Sequence, residues 1–287
     1  MNKILLISSF NERIYKLSGI RLINSFIEKK INADLLITTE GQYSFDNLKK
    51  ISQKYQNIKT FNLNSYDYLN NWLQENKNII PIKYGGSFNF KHQNTNINIK
   101  LVNEYNQKAS LWFRKVASLK YGLDNYNEEY DYIIWIDADT AFLKHLPNDY
   151  IINQFKNTYC FYHLGPSRAI YTLCSIESGF IGFKKGDGYQ LIQDIIDEYS
   201  DEKFLKYARW DDGHIMGQVI INSNIKSIDL INIEIQKKLQ TTEQFMNPMR
   251  YGPFKDYIKH FKGVHHFEFK KNQREKDYKL IENLLLE

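Results

Sequence analysis

Along this chain short apolar runs alternate with stretches in which apolar residues return every three or four positions. KILLIS (3–8) reads as a strand, and SGIRLINSFIEKK (18–30), with Ile20, Ile23 and Ile27 at helical spacing behind Ser18 as a cap, reads as a helix. DLLITTE (34–40) predicts a second strand, residues 46–55 a second helix and IKTFNL (58–63) a third short strand. The order β-α-β-α-β predicts a parallel sheet with helices on both faces. A further amphipathic turn falls at 65–75. The stretch 80–98 then loses periodicity and, with Gly85, Gly86 and many amides, is expected to be a mobile surface loop. A long helix is expected over 99–120, with Leu101, Tyr105, Trp112, Val116 and Leu119 on one face and Gly122 as its stop.

The second half mixes strands at 158–163 and 178–185 with helices near 189–199 and 211–221, and it ends in a charged segment at 268–287. No internal repeat or linker interrupts the pattern. The expectation is a single α/β domain over 1–287, with a nucleotide-binding half at 1–140 and an acceptor and metal half at 141–267.

Composition narrows the class. The chain is 43% hydrophobic and 25% charged, which is ordinary for a soluble globular protein. No apolar run approaches the roughly 18 residues of a membrane span, and the opening run Ile4 to Ile7 breaks into polar residues, so it reads as a first strand rather than a signal peptide. Cys160 and Cys174 then read as reduced thiols, and a cytoplasmic location is expected, in the host cytoplasm if the source is viral. The net charge of +5 suits anionic ligands such as phosphates and falls short of a dedicated nucleic-acid binder. Lysine outnumbers arginine 31 to 7, so arginine is the more informative cation. Arg114, Arg168 and Arg209 lie in or beside the segments that carry chemistry.

The first such segment is YIIWIDADT (132–140). In an open α/β sheet, ligands bind outside the carboxyl ends of strands, and Asp137 and Asp139 follow a run that reads as a buried strand. Two apart on extended backbone, both carboxylates can approach one hard divalent cation, Mg²⁺ or Mn²⁺. Equally, one aspartate can cap the turn while the other is solvated. Asp211 and Asp212 open a helix, where one suffices as cap and the other is free to orient a hydroxyl or take its proton. Trp210 beside them can stack on a sugar ring or pack in the core. Arg114 and Lys115 lie on the long helix, beside Trp112 and Phe113.

Several segments in order resemble the metal-dependent nucleotide-sugar glycosyltransferases of the GT-A fold. SSFNERIY (8–15) looks like the nucleotide-contacting turn, with Ser9, Phe10 and Asn11 as donor contacts. WFRKVASL (112–119) looks like the helix whose basic residues, here Arg114 and Lys115, reach the donor. IWIDADT looks like the D-x-D strand, ESGFIGF (177–183) like the segment beside the sugar pocket, and WDDGHIMGQVI (210–220) like the acceptor-side acidic motif. KHFKGVHH (259–266) looks like the H-x-x-G element of glycogenin-like retaining enzymes. The fold implied is a Rossmann-like, mixed but mostly parallel sheet flanked by helices.

The resemblance implies that Asp137, Asp139 and His260 hold Mn²⁺ or Mg²⁺, and that Lys262 and Gly263 face the diphosphate of a nucleoside diphosphate sugar, expected to be a UDP-sugar. Trp210 and Asp212 would meet the acceptor. Two departures stand out. Glu177 occupies a place usually held by asparagine, where it can bind the donor sugar's hydroxyls or lie under the anomeric carbon, and His266 stands where a phosphate-binding lysine is usual.

The H-x-x-G element points to retention, whereas a true base at Asp211 or Asp212 would imply inversion. Chains with this order of motifs are similar to enzymes of bacteria and their viruses, and the resemblance implies an acceptor hydroxyl on a glycan, lipopolysaccharide or a hydroxymethylated base of viral DNA. The basic cluster Lys270, Lys271, Arg274, Lys276 and Lys279 can follow such a surface or be a solvated helix face. Two other readings are a sugar-phosphate nucleotidyltransferase and a non-catalytic nucleotide-sugar-binding protein. The former has a glycine-rich loop after the first strand, where this chain reads SSFNER.

Overall fold

The computed structural model describes residues 2–77, 109–164, 176–207, 209–231, 249 and 251–261. The expected loop at 80–98, the first part of the 99–120 helix, Arg168, Cys174, and everything from Lys262 onward lie outside the described residues.

The first half builds four parallel strands: β1 (Ile4–Asn11), β2 (Asp34–Glu40), β3 (Ile58–Asn62) and β4 (Tyr132–Ile136). Later come β5 (Thr140–Phe142), β6 (Cys160–Tyr162), β7 (Phe180–Lys184), β8 (Ser227–Asp229) and β9 (Ile258–His260). The main sheet has the order β3-β2-β1-β4-β7-β6-β8, with β7 antiparallel to both β4 and β6. The mostly parallel, helix-flanked sheet is thus the architecture that the alternating pattern implied. The small antiparallel pair β5–β9 stands apart from it.

The helices are α1 (Ile20–Glu28), α2 (Gln42–Lys54), α3 (Asp67–Asn76), α4 (Ala109–Tyr126), α5 (Asn148–Phe155), α6 (Asp187–Tyr199) and α7 (Asp212–Asn222). Side chains alternate across a strand, and the two faces of the central strands feed two cores. Leu5, Ile7, Leu36, Ile133 and Trp135 pack with α4, α6 and α7. Leu6, Leu35, Ile37, Ile134 and Ile136 pack with α1, α2 and α5. Burying each such side chain contributes about 1.5–3 kcal/mol, which is why these central strands read as apolar runs rather than alternating ones.

Two residues expected to mark helix boundaries do not do so, and the helix expected at 46–55 begins earlier, at Gln42. Gly122 does not stop α4. It lies inside the helix, where an added Cβ would come within 2.3 Å of Ile7 Cδ1, so glycine serves the close approach of α4 to β1. Ser18 is no cap either. Asn11, at the end of β1, accepts from Ile14 N at 2.9 Å and starts the helical turn Glu12–Ile14, and a π-helical turn, Tyr15–Gly19, leads into α1. No helix among the described residues is long and apolar enough to cross a membrane.

Candidate functional site

The buried run of β4 ends at Ile136, and the chain turns at once. Thr140 N donates to Asp137 O at 3.1 Å, so the D-A-D segment lies on a tight turn and not on the extended backbone expected from its spacing. Beyond the turn, β5 pairs with β9 in a register that sets Thr140 opposite His260, and Phe261 N donates to Asp139 O at 2.9 Å. This ladder delivers His260 to the turn. Its Nε2 lies 2.9 Å from Asp139 Oδ1 and 3.6 Å from Asp137 Oδ2, with the ring wholly enclosed.

The antiparallel return of β7 brings ESG to the same place, because Asp137 N donates to Gly179 O at 2.9 Å. Glu177 is buried, accepts from Gly179 N through Oε1, and approaches His260 Nδ1 to 4.0 Å. One ligand atom from each of Asp137, Glu177 and His260 fits within 4.8 Å of the others. Carboxylate oxygens with an imidazole form a donor set that fits Mn²⁺ or Mg²⁺. Gly179 belongs to the same geometry. A Cβ there would meet His260 Cε1 at 2.5 Å, His260 Nδ1 at 2.8 Å and Asp137 Oδ2 at 3.1 Å.

Lys115 of α4 enters the site from the helix side. Its buried Nζ lies 2.9 Å from Asp137 Oδ1 and 2.5 Å from Asp212 Oδ2, and it donates to Ser178 O at 2.9 Å and Ser178 Oγ at 3.1 Å. Burial alone would lower its pKa, but Asp137 and Asp212 outweigh burial and hold the ammonium above the ordinary lysine range. Asp212 is the mirror case. Burial pushes it up, yet Lys115, with hydrogen bonds from Lys115, Ser178 and the Gly213 backbone, keeps its carboxyl below the usual range.

Asp211 occupies the cap position of α7, accepting from His214 N at 3.3 Å, and Arg209 grips it in a two-pronged pair at 2.8 Å and 2.8 Å. Trp210 is buried with its ring edge-on to Phe204 and its indole N–H on Tyr207 O, so the core-packing alternative is the one seen.

The nucleotide-turn candidates lie at the carboxyl end of β1. Ser9 is partly exposed, Asn11 is exposed and caps the following turn, and Phe10 is buried with its ring stacked on Tyr15. Arg114 pairs with Glu40 at the end of β2 and donates to Ser110 O. Lys262, Gly263 and His266 lie outside the described residues, so their placement is left to proposal.

Three features escaped the sequence reading. Trp135, near the end of β4, donates its indole N–H to Asp137 Oδ1 at 2.7 Å just beyond the strand, and the signal for it was their two-residue spacing. Gly179 and its clearance for His260 carried no local signal. His163 is enclosed, with Nδ1 3.4 Å from Phe180 O, and its backbone O accepts from Glu177 N at 2.7 Å. Burial pushes its pKa down to about 4 against smaller upward pulls that include Glu177.

No protein-family model matches the sequence, and none of the curated proteins matches it. Among solved structures, the WbbM bifunctional glycosyltransferase in its apo form is similar at 11% identity and a TM-score of 0.50, over 97% of this chain. The chain spans about half the length of WbbM, 51% of it. Mouse xyloside xylosyltransferase 1, also apo, matches at 10% identity and a TM-score of 0.44, over 80% of this chain and 85% of that one. The fold is GT-A-like, similar to that of WbbM. On this GT-A-like sheet, Asp137, Asp139, Glu177 and His260 gather just beyond the carboxyl end of β4, where open α/β sheets hold their ligands.

Proposed function

We propose that the protein is a divalent-metal-dependent glycosyltransferase that moves a sugar from a nucleoside diphosphate sugar, foremost a UDP-sugar, to a hydroxyl acceptor with retention of configuration. The observation that carries this reading is the convergence of Asp137, Asp139, Glu177 and His260 at the ligand edge of a glycosyltransferase fold. WbbM, which shares that fold, is by its name a glycosyltransferase.

In this proposal Asp137, Asp139 and His260 hold Mn²⁺ or Mg²⁺, with Glu177 completing the set or touching the donor sugar. When bound, the cation supplies electrostatic stabilisation to the leaving diphosphate. Ser9, Asn11, the backbone of Phe10, and Arg114 line the nucleotide side. Lys262, Gly263 and His266 face the diphosphate, and Lys115 adds a buried positive charge beside Asp137. Asp212 orients sugar or acceptor hydroxyls, while Trp210 backs it from the core.

Retention is favoured by the state of the two aspartates. Arg209 holds Asp211 and Lys115 holds Asp212, whose carboxyl sits below its usual range, and a carboxylate so paired is a poor proton acceptor. The acceptor is a hydroxyl of a glycan or lipopolysaccharide, or of a hydroxymethylated base of viral DNA, and the reaction belongs in the cytoplasm.

The test incubates the purified chain with UDP-, GDP-, CDP- and dTDP-sugars, with and without Mn²⁺, and follows nucleotide and sugar products. Nucleoside diphosphate release that needs the metal and is lost in Asp139→Ala supports the proposal. Formation of a nucleotide sugar from sugar phosphate and nucleoside triphosphate would assign the chain to nucleotidyl transfer. Nucleotide-sugar binding without turnover, undiminished in Asp139→Ala, would make it a binding protein.

A further inference from the structure

Asp137 uses its two oxygens differently. Oδ1 receives two donors from the protein, the Trp135 indole N–H at 2.7 Å and the Lys115 ammonium at 2.9 Å. Oδ2 is turned the other way, 3.6 Å from His260 Nε2 and within 3.1 Å of where a Cβ on residue 179 would lie. A carboxylate rotates freely about its last bond unless something pins one oxygen, and a pinned oxygen directs the other.

Trp135 is well placed to pin it. The residue is buried near the end of β4, in a strand central to the sheet, and is paired with Ile7 of β1 on one side and Ile181 of β7 on the other, so its backbone is held from both sides. The Lys115 ammonium lies 4.9 Å from the centre of its ring, so the same indole also supports the second donor to Oδ1. An aliphatic residue would satisfy the core at this strand position. The N–H that reaches Asp137 is what the indole adds.

We infer that Trp135 is a positioning residue for the cation site, fixing Asp137 Oδ1 together with Lys115 and leaving Oδ2 as the single oxygen offered to the metal. The inference rests on the proposed metal site. Its consequence is that cation affinity depends on the indole N–H, through Asp137, although Trp135 never touches the cation.

The experiment measures Mn²⁺ binding directly, by the electron paramagnetic resonance signal of free Mn²⁺ and by calorimetry, on wild type, Trp135→Phe and the control Trp72→Phe. Trp72 is also buried, and its N–H donates to Tyr199 O at 2.7 Å, away from the site. Trp135→Phe is expected to raise the Mn²⁺ dissociation constant by about tenfold, the usual effect of losing a hydrogen bond behind a metal ligand, while Trp72→Phe leaves it within about twofold. Replacing Trp135 with β-(3-benzothienyl)alanine, which exchanges the N–H for sulfur at almost constant shape, repeats the test should the phenylalanine variant fold poorly. Wild-type affinity in either Trp135 variant overturns the inference and leaves the metal site standing. Failure of the wild type to bind Mn²⁺ overturns the site itself and this inference with it.

Discussion

The ammonium of Lys115 on α4 and the carboxylate of Asp212 at the start of α7 form a buried ion pair, with Nζ 2.5 Å from Oδ2. The same ammonium holds Asp137, so a single cation of the protein ties the D-A-D turn to the W-D-D helix start. Removing it leaves the enclosed Asp212 carboxylate, and the partly exposed one of Asp137, without their shared cation. Lys115→Met is expected to destabilise the fold by about 3–5 kcal/mol in urea denaturation and to lower kcat/KM by roughly a hundredfold or more. The double variant Lys115→Met with Asp212→Asn is expected to be more stable than the sum of the single losses, by at least about 1 kcal/mol. Strict additivity would show that the pair carries no coupling.

Gly179 should tolerate no side chain. An alanine Cβ would stand 2.5 Å from His260 Cε1, a distance that forces the ring or the strand to move. Gly179→Ala is expected to cost about 1–3 kcal/mol by overpacking and to abolish measurable Mn²⁺ binding because His260 leaves its place. Calorimetric titration of a folded Gly179→Ala variant with Mn²⁺ checks this, and undiminished affinity would refute it.

Glu177→Gln separates the two roles open to Glu177. A metal ligand loses charge and donor strength in this variant, so Mn²⁺ affinity should fall by about tenfold. A residue that only binds the donor sugar would leave Mn²⁺ affinity unchanged and raise KM for the donor. The expected outcome is the first, since Oε1 lies 4.0 Å from His260 Nδ1 in a group compact enough for one ion.

His163 gives stability a pH dependence of known sign. Its folded pKa, about 4, lies below the ordinary histidine value of 6.5, so the unfolded chain binds more protons between these limits. Its contribution is therefore complete above about pH 6.5 and is lost as pH falls toward 4, at a slope of up to about 1.4 kcal/mol per pH unit. Denaturation in EDTA across this range, with His163→Gln as the comparison, is expected to show the slope in wild type and its reduction in the variant.

Much of this molecule was legible locally. The runs 3–8 and 34–40 gave strands within a few residues of those observed, because a run buried on both faces must be apolar whatever it packs against, and the edge strand at 58–63 was read from its short β-prone run. The D-x-D position at the end of β4 was visible for the same reason, and the acidic start of α7 because aspartates favour helix caps. Gly122 was misread as a helix stop, since a glycine that ends a helix and one that admits a neighbouring strand look alike in one dimension.

By itself, then, the sequence determined the main strands and helices of the first half and the carboxylates at the ligand edge, since periodicity and strand ends depend on residues near in the chain, while the short elements Thr140–Phe142, Asn148–Phe155, Ser227–Asp229 and Ile258–His260 carried no pattern of their own. Only the tertiary structure decided how the site is assembled. The register of β5 with β9 brings His260 to Asp139, the antiparallel return of β7 adds Glu177 and Gly179, and the packing of α4 against the sheet places Lys115 between Asp137 and Asp212. These are choices of register and packing between distant segments. Their energies lie in contacts that no local pattern encodes.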